Sequence, residues 1–237
     1  MTKLPAVLLT LSVSLAACVA TAPPAPGDEG ARRVGLPGLS LPGTSEPTGR
    51  APQPRAPLAP DASGVLRPED RAKVERLRET VAAALLDALE AGRTEPGAVA
   101  ASRAALTPTA RAFPTTGIAG AYRCRTIKHG GPAGLVAYRD FACTIRVEGD
   151  ALVLAKPEGS QRMLGRLLIA PSLDADGRTA LLYAGTEYTS NEQPVPYPGG
   201  RPEVGLFEHT GDGSYRLMIP EPGVEGLLDV IAFERSD

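Results

Sequence analysis

Tryptophan is missing from this 237-residue chain, and its six tyrosines and four phenylalanines all fall at Phe113 or later. A first half without one aromatic cannot bury much of a core, so the chain divides into a tether and a fold. Charge bias is missing too: 25 basic residues stand against 27 acidic ones, a formal net charge of -2. That excludes the massed lysines and arginines with which a nucleic-acid binder releases counterions. No apolar run reaches the roughly 20 residues that a bilayer core requires of a helix. Histidine is scarce, with only His129 and His209, so a zinc centre of three or four ligands has little to draw on. The sequence accordingly implies no metal, no cofactor and no nucleic-acid partner.

The N-terminus carries a pattern of three parts. Lys3 supplies a positive charge, Leu4 to Leu15 is apolar, and Leu15-Ala16-Ala17-Cys18 follows directly. Charged, apolar and small-residue regions in that order form an export signal. Small alanines let an extended chain enter a peptidase, and the cysteine thiol is the nucleophile there that takes a diacylglyceryl group. Residues 1–17 therefore read as a lipoprotein signal peptide and Cys18 as the acylated residue. The apolar run is too short for a spanning helix, and Ala22-Pro23-Pro24 could not continue one. Each buried methylene of the acyl chains contributes about 0.8 kcal/mol to anchoring. Val19, where a retention aspartate would stand, points to an outer-membrane anchor facing the periplasm.

Residues 18–62 hold about ten prolines among Ala, Gly, Ser and Thr. Segments such as Ala51-Pro52-Gln53-Pro54-Arg55-Ala56-Pro57 favour polyproline II and cannot join a sheet ladder. This is a tether, long enough to lift a domain clear of lipid headgroups.

Residues 63–112 read as helical. Pro68-Glu69-Asp70 places proline and two carboxylates in a first turn. Val74, Leu77, Val81, Leu85 and Leu89 then recur at helical spacing beside Ala84 and Ala88, and Gly92 closes the segment. A second helix is expected from Pro96 to Leu106, capped by Thr94. From residue 113 to 237 the period changes to two. Nine short segments are expected as strands: 118–128, 135–141, 142–148, 151–156, 161–169, 179–188, 203–209, 215–219 and 227–234. Glu148-Gly149-Asp150, Asp174-Ala175-Asp176-Gly177 and Gly211-Asp212-Gly213 supply turns. The fold class is mainly β: an antiparallel up-and-down, lipocalin-like barrel, or a sandwich, of about eight or nine strands, preceded by one or two α-helices. The helical segment would pack against the barrel or plug one mouth.

With Cys18 lipidated, Cys124 and Cys143 remain as an even pair in an oxidising compartment, each on a strand face with apolar neighbours. They read as a structural disulfide. A bridge closing such a loop contributes about 3 kcal/mol.

No catalytic residue emerges. No strand–turn–helix elbow frames a serine. In a calcium loop aligned on Gly177, Tyr183 would stand where the bidentate glutamate belongs. Two polar clusters do stand out, Tyr122-Arg123-Cys124-Arg125 with Lys128, and Lys156-Pro157-Glu158-Gly159-Ser160-Gln161-Arg162. From them come the candidate ligand-binding residues Tyr122, Arg125, Lys128, Ser160, Gln161 and Arg162. The competing reading is exterior charge and a polar hairpin turn. If the barrel is hollow, Tyr122, Ile145, Met163, Leu167 and Leu217 should line it, with Gly165 leaving room for a ligand.

Arg67-Pro68-Glu69-Asp70-Arg71, Tyr122-Arg123-Cys124-Arg125, Gly159-Ser160-Gln161-Arg162 and Leu227-Leu228-Asp229-Val230-Ile231 resemble the landmarks of a proteobacterial domain-of-unknown-function family, number 4893. The resemblance covers roughly residues 65 to 235, leaves the proline tether outside, and implies an envelope location without an activity. The expectation is a non-enzymatic periplasmic module, anchored in the membrane by lipid, that binds a small or lipidic ligand or an envelope protein. The rival is an envelope hydrolase acting on peptidoglycan or a related polymer.

Overall fold

The computed structural model describes residues 64–92, 94–114, 117–149, 151–169 and 180–236. Cys18 and the segments expected as an export signal and a tether lie outside the described residues. Eight antiparallel strands pair in sequence order and close into a barrel. They are β1 (Gly120–His129), β2 (Leu135–Glu148), β3 (Ala151–Lys156), β4 (Gln161–Ile169), β5 (Ala180–Thr189), β6 (Arg201–Gly211), β7 (Ser214–Pro220) and β8 (Leu228–Arg235). Closure comes from β1, which pairs with β2 on one side and β8 on the other, as in Cys124 opposite Phe233. Among the described residues three helices precede the barrel: α1 (Pro68–Glu75), α2 (Leu77–Glu90) and α3 (Ala98–Leu106).

The strands differ from expectation at one point. The segments expected at 135–141 and 142–148 are one strand, because no glycine or proline interrupts the chain between Phe141 and Ala142. An irregularity between Arg125 and Ile127 in the facing strand takes up the change of phase. Gly149 and Gly213 adopt positive φ in the expected hairpin turns. The turn expected at residues 174–177 lies outside the described residues.

The helices lie on the barrel's outer wall and plug neither mouth. The long helix expected from Pro68 is broken at Arg76, which leaves helical geometry between α1 and α2. The break rotates the buried stripe onto Val74, Leu77, Val81, Ala84 and Ala88, packed against Ile127, Leu182, Leu206 and Val230 of the wall. Leu89, expected on that stripe, is 77% exposed. Alanines at the contact let the helix backbone approach the sheet closely, so the larger leucines turn outward. Thr94 does not cap α3; it bridges to Leu135, and Gly97 precedes the helix. The C-terminal end of α3 is held by Arg216, whose Nη1 donates to the carbonyls of Ala105, Leu106 and Pro108 at 2.9–3.2 Å. Asp70 is fully buried, accepting from Arg67 and from the Tyr197 hydroxyl at 2.7 and 2.8 Å. The Arg67–Arg71 landmark is thus a clasp between α1 and the β5–β6 connection.

Inside the barrel, Cys124 and Cys143 face one another across β1 and β2 as a disulfide with Cα atoms 5.9 Å apart. Around them one end of the barrel is filled with rings. Phe207 stacks on Tyr215 at 5.3 Å, and Tyr122 and Phe233 meet this pair edge-on. Phe113, from the segment after α3, stacks on both Phe207 and Tyr215. Arg111 donates its backbone N–H to the His209 carbonyl at 2.8 Å and holds that segment across the end. This end is closed.

Candidate functional site

Strand parity carries the interior from apolar at the closed end to ionisable at the other. In β8, Phe233, Ile231 and Asp229 share one face; in β5, Tyr183, Gly185 and Glu187 do; in β6, Phe207, Gly205 and Glu203 do. Along β1 the same face runs Tyr122, Cys124, Thr126, Lys128. The open mouth therefore gathers Lys128, Lys156, Glu187, Glu203 and Asp229, all buried. Above them is a cavity of about 220 Å³ with Tyr138, Phe141, Ser160, Gln161 and Arg162 on its wall and rim.

Each cation in this mouth has protein partners. Lys128 is fully buried and donates to Asp229 Oδ2 at 3.0 Å and to the Val224 carbonyl at 3.1 Å. Lys156 donates to the Gln161 and Glu158 carbonyls at 2.5 and 3.1 Å and lies 4.4 Å over the Phe141 ring. Gly159 makes this possible: a Cβ there would stand 3.1 Å from Phe141 and 3.3 Å from the Lys156 ammonium, at a φ of +88°. Arg201 is bound to Glu192 from outside and reaches Glu187 at 3.5 Å.

The acids are not matched in this way. Asp229 Oδ1 is buried without a hydrogen-bond partner among the described residues, as is the Tyr183 hydroxyl deeper in the barrel. Burial, with Glu187 and Asp229 nearby, pushes the Glu203 carboxyl up to about 8. Asp229 is pushed up to about 6, mainly by burial, with Lys128 pulling it back. Burial also raises Glu187 and lowers Lys156.

These shifts fix the sign of a pH effect. A carboxyl raised above its unfolded value favours the fold fully below the unfolded pKa, and that favour is lost as pH rises through the folded value. The melting temperature should therefore fall between about pH 4.5 and pH 8, the interval between the usual and the raised Glu203 value. Glu203→Gln should raise it at pH 8 and leave it nearly unchanged at pH 4.5. A variant less stable than wild type at pH 8 would contradict the assignment. Carboxyls raised by burial on a cavity lining make this mouth the candidate site.

Of the residues expected from sequence, Lys128, Ser160, Gln161 and Arg162 meet at this mouth. Tyr122 does not: it lies in the closed aromatic end, its hydroxyl donating to the Ile118 carbonyl. Arg125 does not either, because its parity turns it to the outer surface, where it pairs with Asp140 at 2.7 Å. Tyr122, Ile145, Leu167 and Leu217 do face the interior together, but as filled core, whereas Met163 also lines the mouth cavity. The room expected at Gly165 is taken by the Tyr183 ring, which a Cβ would meet at 2.4 Å. Glu187, Glu203 and Asp229 were not singled out from sequence. The usable signal was parity: extending the inward face of Ile231 and Phe233 by one step reaches Asp229, and that of Phe207 by two steps reaches Glu203.

One further polar pair is buried elsewhere. Ser102 and His129 Nε2 lie 2.8 Å apart between α3 and the wall. His129 Nδ1 has no partner, so no carboxylate orients the ring as a nucleophilic triad needs. Burial lowers the His129 pKa, and the pair ties α3 to the barrel. Among the described residues no group of three or more His, Cys, Asp or Glu is disposed to hold a metal, and no helix is long and apolar enough to cross a membrane.

Residues 63–233 match a family model described as a domain of unknown function, DUF4893. No curated protein and no solved structure matches the chain.

Proposed function

The chain belongs to the DUF4893 family of domains of unknown function, and we propose that its barrel is a non-enzymatic binding module for a small polar molecule, carried on an acylated outer-membrane lipoprotein facing the periplasm. The observation that carries this reading is the cavity at the open mouth, floored by the buried acids Glu203 and Asp229 and rimmed by Ser160, Gln161 and Arg162. Binding sites are concave, with a few convergent polar groups. At about 220 Å³ this one suits a ligand smaller than drug-sized molecules. A lipid tail has no lumen to enter, since Leu154, Tyr183, Phe207 and Leu217 fill the barrel beneath. The anchor rests on Leu15-Ala16-Ala17-Cys18 at the end of its apolar run.

Native mass spectrometry of the full-length protein taken from its own membrane should reveal a small co-purifying molecule. Gln161→Trp, which fills the mouth from its rim, should lose it at an unchanged melting temperature. Retention of the same adduct by Gln161→Trp would refute the site. Palmitate labelling should mark the wild type and not Cys18→Ser, and a labelled Cys18→Ser would refute the anchor.

One observation favours the hydrolase reading as second choice. Glu203, raised to about 8 by burial, stands near Asp229, raised to about 6, and two carboxyls with separated pKa values are the division of labour between general acid and base. Release of soluble fragments from purified peptidoglycan by wild type, lost in Glu203→Gln, would put that reading first.

A further inference from the structure

The mouth contains a mismatch between donors and acceptors. Its ammonium groups are engaged: Lys128 by Asp229 Oδ2 and the Val224 carbonyl, Lys156 by two carbonyls and the Phe141 ring. Arg201 is engaged by Glu192 and Glu187. On the cavity lining the unmet groups are acceptors: Glu203 is 6% exposed and makes no hydrogen bond within the described residues, and Asp229 Oδ1 is buried there without a partner. Behind Glu187, Arg201 Nε also lacks a hydrogen bond, 3.5 Å from the Glu187 carboxylate. A buried polar atom without a partner is costly, so Glu203 and Asp229 Oδ1 on one cavity lining mark the place where a ligand completes the bonding.

We infer that the ligand of this mouth is a small organic ammonium ion, seated by Glu203 and the free oxygen of Asp229. The inference rests on the binding reading above and names its chemical class. A protonated amine brings up to three N–H donors, which answers the two open acceptors. The lining itself carries the acids Glu187, Glu203, Glu225 and Asp229 and the cations Lys156 and Arg162, with Lys128 already bound to Asp229 and Arg201 beside Glu187. An inorganic cation is the poorer fit, since no described group of acids and histidines is arranged to ligate one. Arg162, whose Nε donates to the Gly159 carbonyl at 3.2 Å, sits at the rim, where it meets the ligand's far end. Burial favours the protonated form of Glu203 and a neighbouring cation favours the ionised one, so binding should release a proton.

Calorimetry on the full-length protein at pH 7 tests this with small probes of different charge: ethanolamine and 4-aminobutan-1-ol against 1,4-butanediol and succinate. The amines should bind and the others should not. The heat should vary with the buffer's ionisation enthalpy by an amount corresponding to roughly one released proton per site. Glu203→Gln, a neutral match for the protonated acid that preserves folding, should weaken amine binding at least about tenfold and abolish the proton release. Binding of succinate with the amines inert would overturn the ammonium class and leave the mouth a binding site. Amine binding that survives in both Glu203→Gln and Gln161→Trp would overturn the placement. If no probe binds while a co-purified molecule is present, its mass and charge decide: a molecule without an amine overturns the inference, and an amine supports it.

Discussion

Gly165→Phe should leave the chain unable to fold, and Gly165→Ala should lower the melting temperature by several degrees. Gly165 faces inward on β4 beneath the ring of Tyr183. A Cβ there would come within 2.4 Å of Tyr183 Cε2 and 2.6 Å of the Gly185 Cα on the neighbouring strand. The ring cannot retreat, because it is fully buried among Leu154, Phe207 and Leu217. Overpacking by one methyl in such a core costs about 1–3 kcal/mol, and for a chain of this size each kcal/mol lowers the melting temperature by roughly 2–4 °C. A whole phenyl group exceeds what repacking can absorb. Pairing Gly165→Ala with Tyr183→Leu should recover part of the loss, since the two residues share one volume. A Gly165→Phe protein with wild-type melting behaviour would mean that the interior is hollow there, and the lipid-binding lumen would return to consideration.

The second large effect is expected at Lys128. Its side chain is fully buried, with the Asp229 carboxylate 3.0 Å away. Removing one member of a buried pair strands the other charge, at a cost of about 3–5 kcal/mol. Lys128→Ala should therefore lose most of the domain's stability at pH 7, and less at pH 5. Without its ammonium neighbour, Asp229 is raised further above its present value of about 6 and becomes protonated at the lower pH. The double change Lys128→Met with Asp229→Leu should be nearly neutral or stabilising, because burying a pair of charges is itself expensive. It should also bind no ligand. A loss below about 1 kcal/mol for Lys128→Ala is the behaviour of a solvent-exposed pair and would contradict this placement.

These two predictions differ in how far the sequence anticipates them. Lys128 was a candidate from its position at the end of an alternating strand, and it is at the mouth. Gly165 was recognised as a gap in the side-chain pattern, which it is, but the size of a gap depends on what crosses it. Tyr183 crosses it from β5, and no local pattern in β4 reports that. Likewise Arg125 and Arg162 are both candidate ligand-binding residues in the sequence. Parity turns Arg125 outward to Asp140, whereas the β3–β4 turn holds Arg162 at the rim.

What the sequence determined by itself was local: the switch from helical to alternating period near residue 117, the glycine turns at 149 and 213, and the inward pairing of Cys124 with Cys143. Each follows from backbone preferences or from the two-residue repeat of a strand, which act over a few neighbours. Only the tertiary structure decided which polar residues share a site. In β5, β6 and β8 both faces are buried, one by the interior and one by the helices, so Glu187, Glu203 and Asp229 stand in runs with no apolar–polar alternation to expose them. Closure of β8 on β1 then sets Asp229 opposite Lys128 across 101 residues of chain, and that register is a property of the whole barrel rather than of either strand.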